Sequence, residues 1–215
     1  MSADNENEPA AQRRFSVEDA KARARQAMRK SEFILLRAYG LLREPNKEWE
    51  QIRAEETTVP NILLGYVAPL ATIIPVCSLI GSYLFEPAFA GDFGVALIRA
   101  VVTWIISVAL VFFLGVLINA VAENFDGDKN DLNAQKIAAY SLTPTFLSGV
   151  FGLWPPLWWL SLFALAAMVF LMYRGLPILM KAPSERALAY AGSVTVATAV
   201  AYIVLFSIAA GIVAG

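Results

Sequence analysis

Histidine is absent from the sequence, cysteine occurs once, and no catalytic motif is recognisable. Without histidine, the chain lacks the commonest metal ligand of proteins and the usual general base near neutral pH. Cys77 alone cannot form a disulfide within the chain. The motifs of serine hydrolases, zinc proteases, P-loop nucleotidases and dinucleotide-binding folds do not occur in a suitable context. We therefore expect a non-enzymatic protein without a metal or a cofactor.

The sequence also lacks a basic start and any excess of positive charge. It begins MSADNENEPAAQ, which is acidic and polar, whereas a signal peptide has a basic start followed by an apolar core. We therefore expect the first apolar segment to be an uncleaved membrane anchor. The net charge of −1 gives no reason to expect nucleic acid as a partner.

Apolar residues, in contrast, are in excess. They make up 58% of the chain, against about 45–50% in soluble domains. After Pro60 they form stretches that approach or exceed the ~20 residues that a membrane-spanning helix requires. The pattern predicts an all-α, polytopic membrane protein with a bundle of five transmembrane helices in one membrane domain, 60–215. The expected spans are about 60–85, 94–122, 135–153, 157–176 and 187–214.

The basic residues are distributed asymmetrically around these spans. Of the 17 lysines and arginines, all but Arg99 lie before the first span, between the second and third, or between the fourth and fifth. Segments that carry positive charge tend to remain cytoplasmic. The distribution therefore predicts a cytoplasmic amino terminus and an outside carboxyl terminus. Arg99 lies close enough to the outer end of the second span to extend its side chain to the headgroups.

Residues 1–59 are expected to form a cytosolic or interfacial segment that begins with a disordered tail, 1–14. Ser16 is a plausible helix start, Pro45 ends the helical pattern, and Asn46 is a possible cap of a second short helix. Two interpretations are open. The helices lie on the inner leaflet as an amphipathic pair, with Trp49 at the headgroup level, or they form a hairpin that packs on itself or on the ends of the spans. Because this segment carries 11 basic and 11 acidic residues, we favour interfacial packing over electrostatic anchoring.

Prolines and tryptophans mark special positions in the spans. Pro69 and Pro75 predict kinks in the first span, because proline removes a backbone donor and clashes with the preceding turn. For the same reason Pro144 leaves a carbonyl near Tyr140 without its partner in the third span. The turn after this span contains aromatic residues typical of a membrane interface. The residues predicted at an interface are Trp49, Arg99, Trp154, Trp158 and Trp159.

The few polar residues at membrane depth form the candidate site. Asn119 and Glu123 are four residues apart on one helical face, and Arg174 supplies a cation near the inner end of the fourth span. The simpler alternative is hydrogen bonding between helices, worth about 0.6 kcal/mol per bond in membranes. The candidate residues are Asn119, Glu123, Tyr140, Thr143, Pro144, Arg174, Gly175, Pro177 and Lys181.

Four segments in a fixed order resemble the Yip-domain family of Ypt/Rab-interacting membrane proteins, and in particular its bacterial branch. They are EPNKEWEQIRAEE, YVAPLATIIP, AAYSLTPTFLSGVFG and MYRGLPILMKAP, and the resemblance covers about residues 44–210. It implies a five-span bundle with a cytosolic amino terminus, in a bacterial inner membrane. Binding of prenylated Rab GTPases is not carried over, because E-P-N-K-E-W-E-Q-I stands where eukaryotic relatives have a D-L-Y-G-P-type segment.

The expected function is to organise or recruit partners at the cytoplasmic membrane face. The expected partners are membrane lipids, a second copy of the chain or other membrane proteins. The alternative is a small transporter, channel or lipid-handling protein with a polar site at the inner ends of spans two to four, since broken helices often line substrate sites.

Overall fold

The computed structural model describes residues 32–85 and 91–214, together with residues 21, 22, 25 and 28; among residues 209–214 only Gly211 is described beyond its backbone. Every regular element in these ranges is a helix. The predicted tail, 1–14, and the predicted helix start at Ser16 lie outside the described residues. The chain divides into two compact units, Met1–Tyr39 and Gly40–Gly215, whereas the sequence suggested a boundary at residue 59.

Helix α1 covers residues 32–43 and exposes large apolar side chains. The exposed residues in this helix are Phe33, Leu35, Leu36, Tyr39 and Leu42. The guanidinium of Arg37 lies 5.2 Å from the centre of the Phe33 ring. An exposed apolar surface of this kind is what the interfacial interpretation requires of the amino-terminal segment.

Helix α2, Pro45–Ala54, begins at the proline that ends α1. Proline is well suited to the first helical position, because its missing N–H would have no partner there. The residue before it, Glu44, is in the cap position and makes no capping hydrogen bond through its side chain. The prediction that Asn46 caps this helix is therefore wrong, since Asn46 lies within its first turn.

Four helices among the described residues are long and apolar enough to cross a membrane. The predicted first, second, fourth and fifth spans correspond to these helices. The third predicted span is not among them, so five crossing helices are not confirmed. The four helical segments are Val59–Phe85, Phe93–Phe125, Pro155–Leu179 and Ser184–Ile208.

Helix α3, Val59–Phe85, is interrupted next to both prolines at which the sequence predicted a kink. A π-helical turn, Leu63–Val67, precedes Pro69, and a turn at Thr72 precedes Pro75. The Thr72 hydroxyl donates to the Ala68 carbonyl at 2.9 Å. Proline thus produces the expected irregularities, because each one removes a donor from the helical ladder.

Helix α4, Phe93–Val121, is continuous and matches the predicted second span closely. Asp92 caps its start, because one of its carboxylate oxygens accepts from the Val95 N–H at 3.1 Å. A 3₁₀ turn, Ala122–Phe125, follows, and Asp126 ends it with φ of 57°. Asparagine and aspartate adopt this left-handed conformation more readily than most residues.

The third predicted span is a chain of short helical pieces. Helix α5, Asp131–Ser141, and helix α6, Thr143–Leu147, flank a turn at Leu142, and a 3₁₀ helix, Ser148–Leu153, follows. Pro144 causes the break, because it cannot donate to the carbonyl one turn earlier. Every residue of α5 from Ala134 onward is buried. Helix α5 therefore lies inside the bundle, and little of its surface is left to face lipid.

A 3₁₀ helix, Pro155–Leu160, leads into helix α7, Ser161–Leu179, and helix α8 covers Ser184–Ala214. The predicted fourth and fifth spans thus overlap these helices, and their ends differ from the observed ends by a few residues.

Close approach of the third segment to α3 depends on glycine. A Cβ at Gly81 would lie 2.9 Å or less from the carbonyl oxygens of Gly152 and Leu153, and a Cβ at Gly149 would lie 2.8 Å from Ile74.

Two loops meet at one end of the bundle, and we call this end, formed by residues 122–130 and 180–186, the loop face. The Asp128 N–H donates to the Met180 carbonyl at 2.7 Å. Two ion pairs cross between the loops: Lys181 with Asp128 at 2.8 Å, and Arg186 with Asp126 at 2.9 Å. The two loops that the charge distribution assigned to the same side of the membrane are therefore in direct contact.

Candidate functional site

Trp49 fixes helix α2 to helix α7. Its side chain is fully buried, and the indole Nε1 donates to the Leu171 carbonyl at 3.1 Å. A Cβ added to Gly175 would lie only 2.8–2.9 Å from the indole ring, so the glycine provides the space into which the ring packs. The inner-leaflet interpretation expected this side chain to face the headgroups, but the indole is enclosed by protein instead. The packing alternative describes α2 correctly.

Lys136 joins α2 to α5. Its side chain is buried, and Nζ donates to the carbonyls of Ile52 and Glu55, both at 2.7 Å. The Arg53 carbonyl lies at 3.5 Å. These carbonyls belong to the end of α2, where a helix carries partial negative charge and unsatisfied acceptors. We call these three contacts the Lys136 cap.

Sequence reasoning assigned Lys136 to a polar loop and missed the cap. The helix begins at Asp131, with Asn130 as its cap accepting from the Asn133 N–H at 2.9 Å. Lys136 is therefore in the second turn of a buried helix. The only sign of this contact in the sequence is a lysine followed by the apolar run IAAY. This pattern indicates a buried lysine only once the helix is known to lie inside the bundle.

A tyrosine pair lies beside this junction. The ring centres of Tyr66 and Tyr140 are 4.6 Å apart. The Tyr140 ring also packs edge-on against Trp49, with 6.5 Å between the ring centres. The Thr143 hydroxyl donates to the Tyr140 carbonyl at 2.7 Å and lies 2.8 Å from the Tyr66 hydroxyl. The carbonyl that Pro144 deprives of its helical partner is thus satisfied by the residue before the proline.

Glu123 belongs to the loop face, and Asn119 contacts it from the end of α4. The Asn119 side chain donates to Asp131 at 2.5 Å and accepts from the Asn130 N–H at 2.8 Å. Glu123 forms an ion pair with Lys129 at 2.8 Å. Both side chains therefore stabilise the connection formed by residues 122–131. The sequence predicted that Asn119 and Glu123 share one α-helical face, but α4 ends at Val121, between the two residues. Lys181, paired with Asp128, also lies here.

Arg174 and Pro177 lie in an open recess between α2 and the end of α7. The recess encloses about 290 Å³, and the residues that line it are Asn46, Glu50, Tyr173, Arg174, Pro177, Ile178 and Ser184. A second recess of about 210 Å³ is lined by residues 44–47 and again by Arg174. The Arg174 guanidinium lies 5.6 Å from the centre of the Phe170 ring.

The nine predicted site residues thus occupy three places rather than one. Tyr140, Thr143 and Gly175 contribute to the buried junction, with Pro144 shaping it. Arg174 and Pro177 line the recess. Asn119, Glu123 and Lys181 stabilise the loop face. Among these nine residues, Arg174 is the cation that lines a recess, whereas Lys181 is paired with Asp128.

The remaining residues that were predicted at an interface are exposed at the opposite end of the bundle. Trp154, Trp158 and Trp159 each expose about half or more of their surface. Arg99 is exposed and lines a groove of about 290 Å³ that also includes Thr103.

The comparisons with known proteins agree with this architecture. The family model described as Yip1 domain matches residues 39–208. The chain is 27% identical to the inner membrane protein YohC of Escherichia coli K12 over 169 residues, which cover 72% of this chain and 84% of the relative. The YohC protein of Escherichia coli O6:H1 matches to the same extent. No solved structure matches the chain.

Proposed function

This chain belongs to the Yip1 domain family, and on that premise we propose that it organises or recruits partners at the cytoplasmic face of a bacterial inner membrane. It is an integral membrane protein, with four helices long and apolar enough to cross a membrane in its described residues. The inner-membrane location is supported by the printed name of the relative in Escherichia coli. A non-enzymatic role is supported by the lack of an enzymatic term in that name and of catalytic motifs in the sequence.

We propose that the loop face is cytoplasmic and that the broken third segment, Asp131–Leu153, is the fifth crossing element. The loops at this face contain Lys129, Lys181 and Arg186, which favours a cytoplasmic position. Non-helical backbone is tolerated at membrane depth where protein encloses it, and α5 and α6 are largely buried. This arrangement places the amino terminus inside and the carboxyl terminus outside.

The observation that carries the proposal is the attachment of α2 to the bundle. Trp49 and Lys136 hold its inner side, while Lys47 and Gln51 remain exposed on its outer side. A helix held in this way presents a preformed surface, and preformed surfaces lose less conformational entropy on binding. We therefore assign the partner-binding surface, for a second copy of the chain or another membrane protein, to the exposed side of α2.

Site-specific photo-cross-linking tests this assignment. A photoreactive residue at Gln51 is expected to give discrete adducts in native membranes, because Gln51 is exposed on α2. The matched control is Trp154, which is equally accessible but at the opposite end of the bundle. If Gln51 gave no adduct, or gave the same adducts as Trp154, a specific partner surface on α2 would be excluded.

A transporter or lipid-handling role is the second candidate, and one observation favours it. A groove of about 460 Å³ lies between α3 and the third segment, and five hydroxyl side chains line it. They are Ser78, Ser82, Thr145, Ser148 and Ser161. Both walls of the groove are helices broken by proline, as in many substrate sites of transporters. Solute or lipid flux in proteoliposomes, measured for the wild type and for Thr145→Val, tests this role, which fails if nothing moves.

A further inference from the structure

We infer that the recess at Arg174 binds the phosphate of an anionic phospholipid headgroup. The assignment does not depend on the partner-organising role. It starts from the chemistry of Arg174, which is the only cationic residue among those lining the larger recess and also lines the smaller one. A guanidinium offers five donors in a planar fork that matches the oxygens of a phosphate.

The donors of Arg174 are not consumed by the protein. Its Nε atom is buried and has no hydrogen-bond partner among the described residues. None of the described acidic side chains forms an ion pair with it. Loop-face arginine Arg186, in contrast, is paired with Asp126 at 2.9 Å. Nε itself is closed off from the recess, so a ligand oxygen there would be bound by the other donors of the guanidinium.

The surroundings of Arg174 suit a phosphate group. The recess includes polar side chains of Asn46, Tyr173 and Ser184. Ser184 begins α8, so the partial positive charge of that helix end lies beside the recess. Glu50 is the one carboxylate in the lining, and it is 3.4 Å from Arg53. Glu50 opposes an anion, and its removal is therefore a second, independent test.

The depth of Arg174 points to a lipid as the source of the phosphate. Arg174 is five residues from the end of the membrane-crossing segment Pro155–Leu179, which corresponds to ~7.5 Å of helix rise. This is the depth of the headgroup region beside the loop face. Basic pockets between membrane helices at the cytoplasmic side commonly bind the headgroups of anionic lipids. A soluble phosphate offers the same chemistry, and the experiment separates the two.

The test is a binding titration of the purified protein in a neutral detergent. The probes are dihexanoyl phosphatidylglycerol, dihexanoyl phosphatidylcholine and inorganic phosphate. We expect phosphatidylglycerol to bind more tightly than the zwitterionic lipid. Arg174→Gln is expected to weaken phosphatidylglycerol binding about tenfold, the effect of one charge-assisted hydrogen bond pair. Glu50→Gln is expected to tighten phosphatidylglycerol binding, because it removes the one carboxylate in the lining; unchanged binding would count against the recess as the site.

Arg186→Gln is the matched control, because it removes the same charge from the same end of the bundle. We expect it to change the affinity less than about twofold, since that guanidinium is exposed and already paired. Equal effects of the two arginine variants would show a diffuse surface charge and overturn the site. Arg174-dependent binding of inorganic phosphate at the affinity of the lipid would overturn the lipid source. Thermal unfolding of each variant checks that it is folded. The Glu50→Gln result remains a test of the site even if the Arg174→Gln variant does not fold.

Discussion

Replacement of Lys136 by methionine tests how α2 is held. The side chain keeps its approximate length but loses the ammonium, so the carbonyls of Ile52 and Glu55 lose donors at 2.7 Å. The Ile52 carbonyl keeps the Glu55 N–H at 3.3 Å, so what is lost is two hydrogen bonds from a charged donor. Each is worth about 1.5–3 kcal/mol, or about 3–6 kcal/mol together, and the third contact, at 3.5 Å to the Arg53 carbonyl, is too long to add much.

An opposing term reduces this cost. Burying an ammonium carries a desolvation penalty of several kcal/mol, which methionine does not have. The undocked helix can also hydrate its carbonyls, which limits the loss. We therefore expect a net loss of about 2 kcal/mol of docking free energy, equivalent to about a 30-fold change in the docking equilibrium.

Cysteine accessibility measures this equilibrium. Ile52 is fully buried on α2, and Ile52→Cys in a Cys77→Ala background reports undocking through its maleimide labelling rate. Lys136→Met should raise that rate by about the same factor, 30-fold. A cysteine at Leu114, which is fully buried in α4, should stay protected and so exclude global unfolding. Lys129→Met is the control, because its exposed ion pair with Glu123 lies outside the cap. An unchanged rate at position 52 would refute the role of Lys136.

Three further predictions follow from contacts and topology. Gly175→Ala should lower the thermal stability by about 1–3 kcal/mol, because its Cβ would overlap an indole ring 2.8 Å away, whereas Gly192→Ala, with nothing within 4 Å, should be neutral or stabilising. Thr143→Val should lower the free energy of unfolding by about 1–3 kcal/mol, because the buried hydroxyl's hydrogen bonds with the Tyr140 carbonyl and the Tyr66 hydroxyl are lost; an unchanged denaturation midpoint would contradict this. Cysteines at Lys129 and Trp154 should react with an impermeant maleimide from opposite sides of the membrane, the first from the cytoplasm, and labelling of both from one side would exclude a crossing third segment.

The sequence allowed the crossing helices to be predicted because their signals are local. Length and apolar composition identify α4 almost to the residue, and Pro69 and Pro75 predict the interruptions of α3. Charge placement also predicted that the loops of Lys129 and Lys181 share one end, and the two ion pairs that cross between these loops agree with it. Each of these inferences depends on the residue's own backbone or charge.

The junction between α2 and the bundle could not be predicted, because its partners are distant in the chain. Trp49 donates to a carbonyl 122 residues away, and Lys136 donates to one 84 residues away. A tryptophan near a membrane is as compatible with a headgroup layer as with a protein pocket, and only the missing Cβ of Gly175 decides between them. The tertiary fold, not the local pattern, makes these residues important.

The central claim is that a firmly held α2 presents the partner-binding surface. Photo-cross-linking from Gln51 in native membranes, compared between the wild type and Lys136→Met, tests it most directly. We predict discrete adducts in the wild type and their loss or marked weakening in the variant, at equal amounts of folded protein. Identical adducts in both proteins, or no adduct in either, would contradict the claim.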